Sequence, residues 1–265
     1  MDFDVFIRIV FFVLGAMIGS FLNVCILRLA KEQSVVSPGS HCLKCGKPVQ
    51  WFDNIPVISY LVLRGKCRSC GVSFSVRYLF IELLTAGVFL GLYLYFGLTW
   101  VLLPYLLMLS GFIVATFTDF DERIIPDEVS VGGMVVGLLI SPLIPQLHGT
   151  DIWWQALLQS VLGVIVGGGS IYLMGAIGEW IFKKEAMGGG DVKLLAMIGA
   201  FMGWKMALLT FFIAPFFGAV VGIIEKIRTK ESAIAYGPYL VMGALVSLFW
   251  GNRIIDHIMS GYGIF

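Results

Sequence analysis

The chain has 265 residues, 58% of them hydrophobic and 13% charged, with 18 Lys and Arg against 17 Asp and Glu. A soluble domain is nearer a quarter charged, so this balance and a mean hydropathy of +0.92 point to a polytopic membrane protein. A net charge of +1 gives no basis for nucleic-acid binding, and three His with no His-Glu-x-x-His or Ser-His-Asp pattern give none for a zinc or serine hydrolase.

A membrane span needs about 20 apolar residues. The first apolar run is 5–27. Asp2 and Asp4 precede its single Arg8, whereas a signal peptide has a basic start, so the run reads as a retained transmembrane helix. Further runs at 79–98, 100–118, 129–145, 157–182, 192–203, 205–225 and 238–250 predict an all-α chain of about eight transmembrane helices. The run 192–203 is short, which predicts a tilted or broken helix, or one bounded by non-helical backbone lining a cavity. The organisation read from this pattern is a first helix (1–27), a small polar module (28–78) and a transmembrane domain (79–265).

The polar module contains Cys42-Leu-Lys-Cys45 and Cys67-Arg-Ser-Cys70, separated by 21 residues. Two Cys-x-x-Cys knuckles at such spacing give a closed, tetrahedral, structural zinc site. Gly46 and Gly71 follow the knuckles, where a turn around a metal needs a residue tolerant of positive φ. A pair of disulfides is the competing reading and requires an oxidising compartment. A module this small needs such a staple to fold. Cys25 stands apart on an apolar helix and reads as packing.

Lys and Arg concentrate on one side of the expected spans. Segment 28–78 carries eight of them, and alternation places Arg123, Lys183, Lys184, Lys226, Arg228 and Lys230 on the same side, against Lys205 and Arg253 opposite. The module is therefore expected in the cytosol and the N-terminus outside. A reducing cytosol favours zinc over disulfides.

The same map brings two acidic segments to the cytoplasmic boundary. In Thr118-Asp119-Phe120-Asp121, Asp119 lies nearest the hydrocarbon; after Pro126, Asp127 reads as a helix N-cap. In Gly188-Gly189-Gly190-Asp191-Val192-Lys193, the glycines permit unusual dihedrals and close backbone approach, and Asp191 opens a helix. Ionisable groups at membrane depth are costly and default to a functional hypothesis. Two carboxyls brought close share one proton, so one acts as base on a water while the other donates to the scissile carbonyl.

In that order the residues resemble the type IV prepilin leader peptidases, membrane aspartic proteases of the Gly-x-Gly-Asp class. The resemblance rests on Gly19-Ser-Phe-Leu-Asn23, the paired knuckles, Asn54-Ile-Pro56, Glu82, Asp119-x-Asp121, Ile125-Pro126-Asp127 and Gly188-x-Gly190-Asp191-x-Lys193. It implies catalysis by Asp119 and Asp191, supported by Asp121, Asp127, Gly188, Gly190 and Lys193, with Asp121 the rival of Asp119 as first acid. It implies removal of the basic leader of prepilins or pseudopilins, after Gly, at the cytoplasmic face of a bacterial inner membrane. It further implies N-methylation of the new terminus with S-adenosylmethionine, Glu82 being the candidate contributor, and zinc on Cys42, Cys45, Cys67 and Cys70. The family's Tyr-Pro-x-x-Glu is here Tyr78-Leu-Phe-Ile-Glu82, a local departure. A polytopic transporter with a zinc-stapled loop is the alternative class.

Overall fold

The computed structural model describes residues 2–183, 187–229 and 235–261, with backbone alone for Phe182, 222–229 and Gly261. Lys184 and Lys230, and the side chains of Lys226 and Arg228, lie outside the described residues. Among those described, eight α-helices follow in the order α1 (Phe3–Leu29), α2 (Ile58–Val62), α3 (Arg77–Phe96), α4 (Leu102–Glu122), α5 (Asp127–Ile140), α6 (Trp153–Phe182), α7 (Gly189–Thr229) and α8 (Gly237–Gly261), with two isolated bridges and no longer strand. Helices α1, α3, α4, α6, α7 and α8 are long and apolar enough to cross a bilayer. This is a multi-pass membrane protein.

The expected apolar segments reappear with one informative difference. Helix α5 is 14 residues long, or about 21 Å at 1.5 Å per residue, short of a bilayer's hydrocarbon thickness. It ends ahead of Pro142, and a 3₁₀ turn over Pro145–His148 follows. The runs 192–203 and 205–225 are the two halves of α7, which breaks at Gly203 (φ 78, ψ 171), as the short first run predicts. Counting α7 as two halves gives eight apolar helical segments.

The chain falls into two compact units, Met1–Val114 and Ala115–Phe265, with the boundary inside α4. In the first unit α1 packs on α3. Small residues set the approach: a Cβ added at Gly15 would lie 2.7 Å from Ala86 Cα, and one at Gly19 would lie 2.8 Å from Glu82 Cα. Close backbone approach of this kind is how helices associate where lipid removes the hydrophobic drive. At the far end Tyr93 donates to Asp4 over 2.9 Å and its ring stacks on Phe11 with centroids 4.8 Å apart.

The segment between α1 and α3 repeats one device twice. In each knuckle the first Cys N–H bonds a carbonyl five residues on, Cys42 to Lys47 over 2.9 Å and Cys67 to Val72 over 2.8 Å. Gly46 and Gly71 then sit at φ 70 and donate back to the Cys42 and Cys67 carbonyls. That is the turn expected of those glycines. The Leu79 departure is absorbed locally: it falls in the first turn of α3, where an N–H has no helical acceptor and proline or leucine is equally admissible.

In the second unit α7 packs against α5, α6 and α8. Gly163 of α6 and Gly199 of α7 meet backbone to backbone, leaving no room for a Cβ on either. Ser160 donates to the Ala200 carbonyl over 2.7 Å beside that contact. Ser141 Oγ and His148 Nε2 are 2.8 Å apart in the turn after α5, and burial pushes the His148 pKa down to about 4, so the ring is neutral there.

Candidate active site

The last turns of α4 carry Asp119 and Asp121. Two residues along a helix is about 200° of rotation, so these side chains take opposite faces. Asp119 points inward with 6% of its surface exposed, whereas Asp121 is exposed. Arg123 (φ 56) ends the helix, and Ile125 and Pro126 turn inward before α5 begins.

Asp191 stands in the first turn of α7 and is 9% exposed. Its carboxylate takes a hydrogen bond from the Gly188 backbone N–H. This is the reach-back of a capping box, which satisfies a donor that the helix start leaves orphaned. Gly188, Gly189 and Gly190 do not use positive φ. Their contribution is space. A Cβ at Gly190 would lie 3.2 Å from Ile125 Cβ, and one at Gly188 would lie 3.3 Å from Asp191 Oδ2.

A third segment completes the cluster. The Gly237 N–H, at the start of α8, donates to Asp119 Oδ2 over 2.8 Å. A Cβ on Gly237 would stand 2.8 Å from that oxygen and 3.1 Å from Ile125 Cδ1. Ile125 is thus the apolar floor shared by the Gly190 and Gly237 approaches. The Asp119 and Asp191 carboxyls lie within electrostatic reach of each other, and Asp191 also acts on Tyr236. Burial first, and the Asp191 charge second, push the Tyr236 phenol up to about 12, so it remains an O–H donor at neutral pH. Sequence reasoning missed Tyr236 and Gly237. The available signal was Tyr-Gly-Pro at a helix start, a glycine where the backbone must come close.

Asp127 is not the side-chain N-cap that its position suggested. It is the first residue of α5, Pro126 holds the cap position, and no side-chain cap bond forms. Its carboxylate instead receives Lys193 Nζ at 2.7 and 2.9 Å, linking α5 to α7. The ion pair is exposed, with 43% and 63% of the Lys193 and Asp127 side-chain surfaces open.

In the first unit the sulfurs of Cys42, Cys45, Cys67 and Cys70 all lie within 4.8 Å of one another, and all five cysteines of the chain are free thiols. A tetrahedron of Zn–S bonds of about 2.3 Å has sulfur–sulfur edges of about 3.8 Å. Cys42 Sγ and Cys70 Sγ are 3.8 Å apart. Backbone N–H groups of Cys45 and Lys44 bond the Cys42 sulfur and pull its pKa down to about 6, the thiolate form that a metal needs. The four residues fit a structural metal ion. Asp53 is tied to Arg68 by three short contacts, which hold its carboxyl below the usual range and brace the second knuckle against the loop before α2.

Glu82, in the second turn of α3, is 8% exposed. Its carboxylate accepts the Val57 N–H over 2.7 Å and the Ser20 hydroxyl.

Helices that cross a membrane, a buried carboxyl pair at the ends of two of them, and a tetracysteine module define a membrane-embedded aspartic hydrolase type of molecule. Comparison with known proteins agrees. The bacterial peptidase A24 N-terminal domain model matches residues 13–96, and the type IV leader peptidase family model matches 105–223. A protein of Myxococcus xanthus named prepilin leader peptidase/N-methyltransferase is 41% identical over 83% of this chain, which spans 64% of that relative. Proteins of the same name from Pseudomonas aeruginosa and Neisseria gonorrhoeae are each 34% identical over 91% of the chain and 89% of their own length. No solved structure matches. The chain belongs to the type IV leader peptidase family.

Proposed function

We propose that this protein is an aspartic endopeptidase of the bacterial cytoplasmic membrane that removes the basic leader from type IV prepilins or pseudopilins after Gly, and methylates the amine so exposed. The observation that carries the peptidase reading is the burial of Asp119 and Asp191 within electrostatic reach of each other, each holding a backbone N–H. Its relatives carry the name prepilin leader peptidase/N-methyltransferase.

Two close carboxyls ionise one at a time. The ionised member takes a proton from water, which attacks the scissile carbonyl carbon, while the protonated member donates to the carbonyl oxygen. Collapse of the tetrahedral intermediate breaks the C–N bond and returns a proton to the departing amine. The pH behaviour belongs to the pair rather than to either residue. Gly237 fixes the orientation of Asp119 through Oδ2, Gly188 does the same for Asp191, and Gly190 admits Ile125 close to its backbone. Lys193 and Asp127 brace α5 against α7, and Asp121 faces outward as a supporting charge.

In this reading segment 28–78 is a cytosolic zinc module between the first helix (1–27) and the protease domain (79–265). Zinc on Cys42, Cys45, Cys67 and Cys70 fastens that small fold. The N-terminus lies outside, the catalytic aspartates face the cytosol, and the prepilin's apolar helix enters the lipid beside the enzyme. S-adenosylmethionine supplies the methyl group and Glu82 serves that step. A transporter would need ionisable residues spread through the spans; the buried acids here gather with hydrogen-bond donors instead.

The test is cleavage of a purified prepilin by detergent-solubilised protein. Asp119→Ala and Asp191→Ala are each expected to lower the rate by at least about 10³, and Asp121→Ala to leave it within about fivefold. Loss of cleavage in Asp121→Ala alone would reverse the assignment of the first acid.

A further inference from the structure

The segment between the two knuckles has two unlike faces. A 3₁₀ turn over Trp51–Asn54 leads into α2, a single helical turn of five residues. The Ser59 hydroxyl donates to the Phe52 carbonyl over 2.9 Å and joins the two. Ser59 and Tyr60 point inward. Ser59 is buried, a Cβ on Gly65 would lie 2.8 Å from the Tyr60 ring, and both residues line a cavity of about 1000 Å³ between α1, the knuckles and α3. Ile58, Leu61 and Val62 point the other way. They stand at i, i+3 and i+4, the spacing of one helical face, none of them lines the cavity, and each is well over half exposed. Trp51, in the adjoining turn, is also exposed, and its ring meets Phe52 edge-on with centroids 5.6 Å apart.

The fold fixes the direction of this apolar face. Val57 is the centre of a γ-turn (φ 64, ψ −54), closed by the Ile58 N–H to the Pro56 carbonyl over 2.6 Å. A β-branched residue holds that backbone only where its surroundings over-determine it. Here the Val57 N–H donates to Glu82 Oε2 over 2.7 Å, which fastens the start of α2 to α3, a helix long and apolar enough to cross a bilayer. Arg68 stands over the Phe52 ring at 5.4 Å and bonds Asp53, so the second knuckle braces the turn that carries Trp51. An apolar surface held outward in this way marks an interaction site.

Charge decides the occupant. Segment 28–78 carries eight Lys and Arg against Glu32 and Asp53. The net negative charge of a zinc tetrathiolate is smaller than this excess. Arg64 and Lys66 follow the apolar face directly in the chain and are exposed. Cations flanking Trp and aliphatic side chains fit an anionic lipid surface, where headgroups meet the cations and the acyl boundary takes the apolar groups. A basic prepilin leader has the wrong charge for it.

We propose that α2 and the Trp51 turn seat the module on the anionic lipid surface of the membrane, with Ile58, Leu61, Val62 and Trp51 entering the headgroup boundary while Ser59 and Tyr60 face the cavity. One helical turn is too short to bind a membrane alone. It is tethered at both ends, because α1 ends at Leu29 and α3 begins at Arg77, so insertion is an intramolecular step. The positive charge draws the module to the surface, and the apolar side chains hold it there. The knuckles then do more than close a small fold: they hold a lipid-facing strap in fixed geometry. Failure of this seat would leave the peptidase reading untouched.

The experiment uses the full chain in nanodiscs of mixed phosphatidylglycerol and phosphatidylcholine, with prepilin present. The photo-cross-linker p-benzoylphenylalanine is placed at Leu61, at Val62 or, as the inward control, at Tyr60, and adducts are identified by mass spectrometry. Lipid adducts at positions 61 and 62 are expected at least about tenfold above position 60. They should fall at least about threefold when phosphatidylcholine alone forms the disc. Equal lipid labelling at positions 60 and 61 overturns the seat, as do adducts of position 61 to prepilin, to a second copy or to residues 115–265 in place of lipid. Equal labelling in the two discs overturns the anionic surface as its occupant. Hydrogen exchange of the unmodified chain needs no variant. Amides of 58–63 should exchange at least about fivefold more slowly in the mixed disc than in phosphatidylcholine alone, with those of 146–152 unchanged. No difference at 58–63 overturns the proposal.

Discussion

Gly237→Ala tests whether the start of α8 positions the first catalytic acid. The added methyl would stand 2.8 Å from Asp119 Oδ2, closer than the 3.4 Å at which ordinary van der Waals contact begins, and 3.1 Å from Ile125 Cδ1. Ile125 is also crowded by Gly190, where a Cβ would lie 3.2 Å from Ile125 Cβ. The carboxylate is therefore the group that moves, and it leaves the 2.8 Å bond from the Gly237 N–H. That bond is charge-assisted, comes from a helix N-terminus, and is worth about 1.5–3 kcal/mol. At about 1.4 kcal/mol per decade, the expected loss in cleavage rate is roughly 10- to 150-fold. The assay is single-turnover removal of the leader from a prepilin, with methylation of a precleaved peptide as a control for folding, since that chemistry is assigned to the other unit. A variant that cleaves at the wild-type rate refutes the role of Gly237 in orienting Asp119. A variant that loses methylation in equal measure refutes a local effect.

Other predictions follow from neighbouring features. Elemental analysis of the purified protein should find one zinc per chain, and Cys67→Ser should lower that content and speed hydrogen exchange across residues 40–75, because the knuckle turns are short and the metal closes them. Breaking the exposed Lys193–Asp127 pair with Lys193→Ala should change stability by less than about 1 kcal/mol and cleavage by less than about fivefold, as for solvent-screened ion pairs. The Tyr236 phenol binds its proton more tightly in the folded protein than its ordinary value near 10. Its contribution to stability is therefore complete below pH 10 and is lost as pH rises toward 12. Tyr236→Phe should remove that alkaline loss in a thermal-melt series, while cleavage at neutral pH reports whether the phenol also serves the site.

Some of this molecule could be read directly from the chain, and the reasons are local. Apolar runs long enough to span a bilayer declare themselves because lipid forces every backbone donor and acceptor into intrahelical bonds. The knuckles were legible because metal geometry restricts Cys spacing, and Gly46 and Gly71 are found at the φ of 70 that such turns require. Asp119 and Asp191 were conspicuous because charge is rare in such surroundings. The choice of face between Asp119 and Asp121 needed the helix to be built: residue spacing places them on opposite sides, but only the packing shows which side is interior.

Chain order alone established the membrane class, the tetracysteine motif and the two acidic segments, since each shows in the composition or spacing of one continuous stretch. The folded arrangement decided what could not be local: the reach of Gly237 to an oxygen 118 residues earlier, and the lysine of α7 that pairs with Asp127. These are contacts between distant elements, and no periodicity in sequence encodes them, because they exist only once helices have chosen their partners.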